Sequence, residues 1–248
     1  MRHTLLEMMA MEHSFAEAHE KLDAIYRRGA SALENMYVPG NALHVGIDWQ
    51  KFYCDPTFPL SHCQTFKISF TQKIHATMAR MNEFVQALRP HLPSAWVYHD
   101  FPVRKDFKDD LATLYGVEGS EATERKFQEW KAQANQICAA TAPSEPLFPK
   151  EDFNAYSNPD LVEHSKSKGY HIQLLTGLIR SHCLRESEYH GHLCRFNMFV
   201  IDDLTVDGYA YGGPAHLQVA KDADSRGTYL VRSEDASNVI AKAHGLAL

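Results

Sequence analysis

The chain has 248 residues, of which 44% are hydrophobic and 23% are charged, a composition typical of a globular protein. Its formal net charge is -6 and it has no long basic run, so nucleic acid is not an expected partner. No stretch approaches the roughly 18 apolar residues of a membrane span, so no membrane partner is expected either. Five scattered cysteines without a CxxC pair favour reduced thiols and a cytoplasmic location over a disulfide framework or a zinc cage: Cys54, Cys63, Cys138, Cys183 and Cys194.

Helices and strands are predicted to alternate along the chain after an N-terminal helix over 4–28. We treat 1–40 as a helical extension, because this helix precedes the first predicted strand. That strand is a short apolar run that ends at Asp48 and is typical of a buried parallel strand. The elements that follow are a helix over 65–89, a strand over 95–100, a strand-like end at 147–150, a helix over 158–168, a strand over 171–176, a helix from Cys183 to about His192, a strand over 196–201, a helix over 215–220, a strand over 228–231 and a helix over 234–243.

This alternation predicts a parallel sheet that is covered by helices on both faces. We expect the sheet to belong to one domain over 41–248. Residues 103–149 are less regular and contain one predicted helix, near 121–140. They are predicted to be an insertion above the strand ends, and either a lid or a plain surface excursion would fit.

Cys183 follows a buried strand that ends at Gly177, and it lies after a tight turn at the start of a helix. Unpaired N–H groups and the positive end of the helix dipole favour a thiolate there, and the thiolate is the nucleophilic form. A catalytic cysteine is one hypothesis, and a buried, inert cysteine is the other. Asp48 and Lys150 also lie at predicted strand ends. A carboxylate, an ammonium group and a thiol can together perform amide chemistry if they converge in space.

Four segments, in order over roughly 42–205, resemble motifs of the isochorismatase-like cysteine hydrolase family, whose members include nicotinamidases and N-carbamoylsarcosine amidases. The segments are Ile47-Asp48-Trp49-Gln50 with Phe52-Tyr53-Cys54-Asp55-Pro56, Lys150 with Asn154-Ala155-Tyr156 and Leu161, Gly177 with Cys183, and Val200-Ile201-Asp202-Asp203.

The resemblance implies an α/β fold, a three-layer α/β/α sandwich with a mostly parallel, Rossmann-like central sheet. It implies a catalytic triad of Asp48, Lys150 and Cys183 and an oxyanion hole formed by the backbone N–H groups of Ile179 and Cys183. A cis peptide is expected in the turn after Gly177, between Leu178 and Ile179. The implied activity is hydrolysis of a C–N bond in a small amide, ureide or carbamoyl substrate through a thioester-type intermediate. Relatives are often oligomeric, so a homo-oligomer is implied as well.

The sequence departs from the family in two places. Nicotinamidases carry an Asp-x-His element in a metal site, whereas Asp100-Phe101-Pro102 has proline in the position of the histidine. We therefore expect no catalytic metal and no other cofactor, and nicotinamide is not the expected substrate. The turn after Gly177 contains the bulky Ile179 and Arg180, where the family often has small residues.

Two further side chains are candidates for contacts with substrate. Tyr53 is expected to line the pocket, because the aromatic residue of the family at this place does so. Arg180 would either hold a substrate carboxylate as a fork or form a surface salt bridge. His182 is next to the thiol, but as the immediate neighbour of Cys183 its side chain is expected to face elsewhere.

Two alternatives remain open. One is a PIN-like nuclease, in which Asp48, Asp100 and Asp203 would hold a divalent metal. The other is a non-catalytic binding or scaffold protein on the same fold, because fold does not determine function.

Overall fold

The computed structural model describes residues 5–60, 68–100 and 105–246. Within this part of the chain, six strands form one sheet in the order β3-β2-β1-β4-β5-β6, and every neighbouring pair is parallel. The strands are β1 (Ala42–Ile47), β2 (Ser94–His99), β3 (Leu147–Lys150), β4 (Ile172–Leu178), β5 (Asn197–Val206) and β6 (Tyr229–Val231).

The helices are α1 (Leu5–Met36), α2 (Lys51–Cys54), α3 (Ile68–Leu88), α4 (Lys105–Tyr115), α5 (Ser120–Ala134), α6 (Pro159–Ser167), α7 (Arg185–Leu193), α8 (Pro214–Ser225) and α9 (Ser233–Ala243). A 3₁₀ turn at Ala155–Ser157 precedes α6, and a π-helical turn at Arg180–Leu184 precedes α7.

The sheet is buried on both faces, because its central strands β1 and β4 have no exposed residue. Their alternating side chains enter two separate apolar clusters. One cluster includes side chains of α3 and α9, and the other includes side chains of α1, α6 and α8. Runs of apolar residues bounded by turns are what a doubly covered parallel sheet requires. The predicted three-layer α/β/α sandwich is confirmed, and the described sheet is parallel throughout.

Helix α1 packs along the edge strand β6 and also contacts α8 and α9. Gly29 allows this close approach, since a Cβ at that position would lie 1.9 Å from the backbone oxygen of Leu230. The helix therefore covers a sheet edge that would otherwise be open to pairing with another chain. It ends at Met36, beyond the predicted end at 28.

The insertion differs from the prediction in its helices. It contains α4 as well as α5, and α5 ends at Ala134, before the predicted end at 140. The two helices pack on each other and on α2 through a small cluster of aromatic and aliphatic side chains, namely Phe52, Phe58, Leu111, Phe127, Trp130 and Ala134. This separate cluster joins residues that are far apart in the sequence, so the local periodicity of the sequence does not predict it.

Strand β5 also extends further than predicted. Its predicted end was the acid pair Asp202-Asp203, but the strand continues to Val206. It does so because β4 continues beyond Gly177 to Leu178, and the two strands pair again there after a register shift. Asp202 consequently lies inside the strand and is buried.

None of the described helices is long and apolar enough to span a membrane.

Candidate active site

The strand order places a topological switch between β1 and β4. The chain leaves β1 toward β2 and β3 and then returns to the other side of β1 as β4. In open parallel sheets, ligand sites form at such a switch, beyond the carboxyl ends of the strands. Asp48 follows β1 directly, and Cys183 lies in the turn after β4.

Asp48 is held in an unusual backbone conformation. Its φ is +60°, in the left-handed region that non-glycine residues rarely adopt, and its N–H donates a 2.9 Å hydrogen bond to the carbonyl oxygen of Val97. Such strain persists only where the surroundings fix the conformation, and it clusters at functional sites. The Gln50 side chain helps to fix it. Its Oε1 accepts from the His99 N–H at 2.7 Å, and its Nε2 donates to the His99 carbonyl at 3.1 Å.

Lys150, the last residue of β3, reaches across the end of β2 to this carboxylate. Its Nζ lies 2.9 Å from Oδ2 of Asp48, and both side chains are almost fully buried. The ammonium group also donates to the carbonyl oxygens of Asp152 at 3.2 Å and Phe153 at 3.5 Å. The site therefore contains a buried ion pair whose positive member also contacts backbone acceptors.

The turn that carries Cys183 begins at Gly177. The φ of this glycine is +142°, and a Cβ would lie 2.2 Å from the carbonyl oxygen of Ile47. Only glycine fits there, because the turn passes directly over the end of β1. The cis peptide expected in this turn lies between Leu178 and Ile179.

The Cys183 thiol lies close enough to both members of the ion pair for Asp48 and Lys150 to act on its pKa. The residue is only 7% exposed. Burial, and next the charge of Asp48, raise the pKa of the thiol to about 12, while Lys150 offsets part of this effect. Burial and the neighbouring carboxylate outweigh the helix start, so the expectation that this position favours a thiolate is wrong.

The ammonium group of Lys150 remains charged beside these two groups. Burial acts to lower its pKa, but Asp48 and Cys183 outweigh burial and raise it. The resting site thus combines a protonated thiol, a carboxylate and an ammonium ion. This arrangement suits transfer of the thiol proton to the carboxylate while the sulfur attacks a carbonyl carbon.

Two side chains that sequence reasoning missed hold the cysteine turn in place. The Ser187 hydroxyl accepts from the N–H of Ala155 at 2.9 Å and donates to the carbonyl oxygen of Cys183 at 2.6 Å. It thereby connects the loop after Lys150 to the turn. Asp207 accepts from the N–H of Ser181 at 2.6 Å. The sequence carries no signal for Ser187, whereas Asp207 follows the end of a strand.

Tyr53 lies near Asp48 and Cys183. Burial, followed by the charges of Asp48 and Cys183, raises its pKa well above the usual value. Its hydroxyl lies 3.2 Å from Nδ1 of His99. His99 was also missed, although it ends the second strand. Burial, and then the charge of Lys150, lower its pKa and favour the neutral ring.

Arg180 does not occupy either of the positions expected for it. The surface salt bridge is wrong, because the residue is fully buried. Its guanidinium group forms an ion pair with Glu188, and its Nε lies 3.5 Å from Oδ1 of Asp202. Contact with a substrate carboxylate would require the guanidinium group to leave both acids, which these ion pairs oppose. The ion pair instead ties the cysteine turn to α7 and β5.

Asp202 extends this buried network to α1 and α8. Its Oδ2 lies 2.5 Å from Nε2 of His216 and accepts from the Tyr26 hydroxyl at 2.6 Å. His216 stacks on Tyr209 and also contacts Tyr211. The first acid of the Val200-Ile201-Asp202-Asp203 motif thus joins β5 to α1 and α8.

A cleft of about 790 Å³ reaches the cysteine turn. It is lined in part by Ile179, His182, Lys73, Tyr209 and Tyr211. The exposed His182 contacts Ser181 and Phe153. The cleft gives a small molecule a route to the turn, and its walls combine aromatic rings with one ammonium group.

Of the segment that replaces the Asp-x-His element of nicotinamidases, the structure describes only Asp100. Phe101 and Pro102 lie outside the described residues. Among the residues that are described, no three acidic, histidine or cysteine side chains are grouped so that they could hold a metal ion. Asp100 contacts Lys131 and Asn135, whereas Asp203 accepts two hydrogen bonds from Ser233. The nuclease alternative needs Asp48, Asp100 and Asp203 together, and these separate partners do not favour it.

No protein-family model matches the sequence, and no curated protein matches it. Solved structures do match the fold. The N-carbamoylsarcosine amidase of Thermoplasma acidophilum has a TM-score of 0.53 and 14% identity, over 78% of this chain and 97% of its own. The pyrazinamidase of Pyrococcus horikoshii, in complex with zinc, has a TM-score of 0.55 and 12% identity, over 77% and 99%. A cysteine hydrolase of Pseudomonas syringae has a TM-score of 0.54 and 14% identity, over 84% and 95%.

The chain therefore has the fold of the isochorismatase-like hydrolases, as the sequence motifs predicted. At these identities the likeness concerns the fold, and the activity must be argued from the site.

Proposed function

We propose that the protein is a cysteine hydrolase that cleaves a C–N bond in a small amide, ureide or carbamoyl substrate. The observation that carries the proposal is the shared, buried site of Asp48, Lys150 and Cys183 at the switch between β1 and β4. Three ionisable side chains from distant points in the chain come close together there, at the kind of position where open parallel sheets form ligand sites.

In the first half of the reaction, the Cys183 sulfur attacks the carbonyl carbon while its proton passes to a carboxylate oxygen of Asp48. The carbonyl oxygen gains negative charge, and the backbone N–H groups of Ile179 and Cys183 are the proposed donors to it. The carbon–nitrogen bond then breaks, and Asp48 returns the proton to the leaving nitrogen. The products of this half are an amine or ammonia and a thioester on Cys183.

In the second half, Asp48 takes a proton from a water molecule that attacks the thioester carbon. The carbon–sulfur bond breaks, the acid product leaves, and the proton returns to the sulfur. Lys150 stabilises the carboxylate and the developing negative charge through both halves, and it is placed to do so by its 2.9 Å contact with Asp48.

The substrate side of the site is proposed to be formed by Tyr53 and by the cleft next to Ile179. The thiol lies close to Tyr53, and the cleft reaches the turn with room for a small molecule. An uncharged carbonyl group fits the buried position of the thiol, because a negatively charged group there would be repelled by the carboxylate of Asp48.

The proposal is tested by assaying a panel of small amides, ureides and carbamoyl acids for release of ammonia or amine. Wild type is expected to turn over at least one class, and Cys183→Ala is expected to lose that turnover. The matched control is Cys194→Ala, which removes a partly buried thiol of the same chain and leaves the three groups intact. Turnover that persists in Cys183→Ala would exclude the nucleophile. Binding without turnover of any panel member would favour the scaffold alternative.

The remaining properties follow from this proposal. Five scattered cysteines without a CxxC pair favour a reducing compartment, so we propose a cytoplasmic location, with a small molecule as the partner and no cofactor. We also propose a homo-oligomer, and light scattering on the full chain would measure its mass. The domain boundaries, with an extension over 1–40 and an insertion over 103–149 in a domain of 41–248, stay a prediction.

A further inference from the structure

A second pair of cysteines lies beside the site without belonging to it. Cys54, the last residue of α2, is buried in the apolar cluster on the α3 side of the sheet. Cys138 is partly exposed and packs against the same cluster. Backbone pairing between 49–51 and 136–138 brings Cys54 and Cys138 close together, near enough for Cys54 to lower the pKa of Cys138, although the two come from distant parts of the sequence.

The backbone holds this arrangement in place. An antiparallel bridge joins Gln50 to Ile137, and Cys138 donates from its N–H to the carbonyl oxygen of Trp49 at 2.7 Å. The N–H of Lys51 donates to the carbonyl oxygen of Gln136 at 2.8 Å. Helix α2 then makes one turn, in which the N–H of Cys54 donates to the carbonyl oxygen of Gln50 at 3.1 Å. These hydrogen bonds hold α2 and the segment that follows α5 side by side, which a disulfide between the two segments requires.

The two sulfurs differ in reactivity from the thiol of Cys183. The nearby Cys54 lowers the pKa of Cys138, and the charge of Lys51 acts in the same direction, while burial and Asp55 oppose it. Burial and Asp48 raise the pKa of Cys183 to about 12. Oxidants attack thiolates that solvent can reach, so Cys138 is a better target than the buried Cys183.

We propose that Cys54 and Cys138 form an oxidation site that hydroperoxides convert into a reversible disulfide. The Cys138 thiolate attacks the outer oxygen of the peroxide, the O–O bond breaks, and the departing oxygen takes up a proton. The resulting sulfenic acid is attacked by the Cys54 sulfur. The S–S bond forms, the S–O bond breaks, and the hydroxyl group leaves as water with the Cys54 proton. Two thiols and one hydroperoxide thus give one disulfide, one alcohol or water, and one further water.

The disulfide would fasten α2 to the segment that follows α5. Tyr53 is the neighbour of Cys54 in that helix and lies next to Asp48 and Cys183. The crosslink would therefore fix one wall of the site and leave the Cys183 thiol reduced. The inference does not depend on the proposed activity, because it concerns thiols outside the three-residue site.

The test uses the full chain, treated near neutral pH with one equivalent of hydrogen peroxide, quenched with catalase and blocked with N-ethylmaleimide. Mass spectrometry without reductant is expected to show a product that has taken up two fewer maleimides than untreated protein. Before blocking, this product is expected to be lighter than untreated protein by two hydrogen atoms. Peptide mapping is expected to link Cys54 to Cys138, and dithiothreitol is expected to reverse the change.

Four variants test and control this result. Cys138→Ser is expected to abolish the linked product, Cys54→Ser to leave Cys138 with one or more added oxygen atoms, and Cys194→Ser to behave as wild type. Cys183→Ala is expected to form the disulfide at the wild-type rate, which separates this inference from the fate of the proposed activity. A link that involves Cys63 or Cys194, prior oxidation of Cys183, or no linked product would each overturn the inference.

Discussion

The pH dependence of Cys183 alkylation tests the electrostatics of the site. Burial and Asp48 raise the pKa of the thiol from an ordinary value of 9.0 to about 12. This difference lowers the thiolate population near pH 7 by roughly a thousandfold, equivalent to about 4 kcal/mol. We therefore expect the thiol to lose its proton during attack rather than before it, with Asp48 as the nearby acceptor.

The assay is the rate of iodoacetamide labelling at Cys183, measured by peptide mass spectrometry between about pH 7 and 11. In wild type, the rate is expected to rise roughly tenfold per pH unit without reaching a plateau. The pH dependence of the labelling rate is informative because limited solvent access lowers the rate at every pH by the same factor. Limited access therefore cannot produce or remove a plateau.

Two variants are expected to shift this profile in opposite directions. Asp48→Asn removes the charge that raises the thiol pKa and keeps Lys150, so labelling near pH 8 is expected to become faster although turnover is lost. Lys150→Met removes the charge that lowers the pKa, so labelling is expected to become slower. Circular dichroism at each pH would check that both variants are folded. A wild-type plateau with a midpoint near pH 8, or slower labelling in Asp48→Asn, would refute the reasoning.

Three further predictions concern stability, each measured by urea unfolding. Gly177→Ala is expected to cost on the order of 3 kcal/mol, because a Cβ would lie 2.2 Å from a backbone oxygen of β1 at a φ of +142°, whereas Gly208→Ala, with nothing within 4 Å, is expected to be neutral. Equal effects would exclude the close approach. Arg180→Met leaves two buried carboxylates without their guanidinium group and is expected to cost about 3–5 kcal/mol. The exposed pair of Arg28 is the control, and Arg28→Met is expected to cost less than about 1 kcal/mol. Burial lowers the pKa of His44 to about 3, so stability is present above pH 6.5 and is lost as the pH falls toward 3. His44→Asn is expected to flatten that loss, by about 3 kcal/mol at pH 4, and an unchanged slope would contradict it.

The sequence contains enough information to predict the sheet and the ends of its strands. Each central strand is a continuous apolar run, because it is buried on both faces, and the residues that follow such runs in a parallel sheet gather at one edge. This physical rule is what brought Asp48, Lys150 and Cys183 together as candidates before any geometry was known. The sequence also indicates the turn before Cys183, because the apolar run of β4 ends at Gly177. In the structure this glycine lies where the chain passes over the end of β1.

Other features depend on distances that no local pattern carries. The raised pKa of Cys183 results from burial and from the nearby Asp48, so the helix start alone predicted the wrong direction. The partners of Arg180 come from α7 and β5, and only the folded chain brings both to the turn. The proximity of Cys54 and Cys138 depends in the same way on the path of the insertion.

The covalent intermediate provides the most direct test of the proposed mechanism. Wild-type protein would be mixed with the best substrate of the amide panel, quenched in acid within the first turnovers, and examined by mass spectrometry. The mechanism predicts an acyl group on the Cys183 peptide that disappears as substrate is consumed, and none in Cys183→Ala. Turnover without any acyl group on Cys183, at a rate that Cys183→Ala matches, would contradict it.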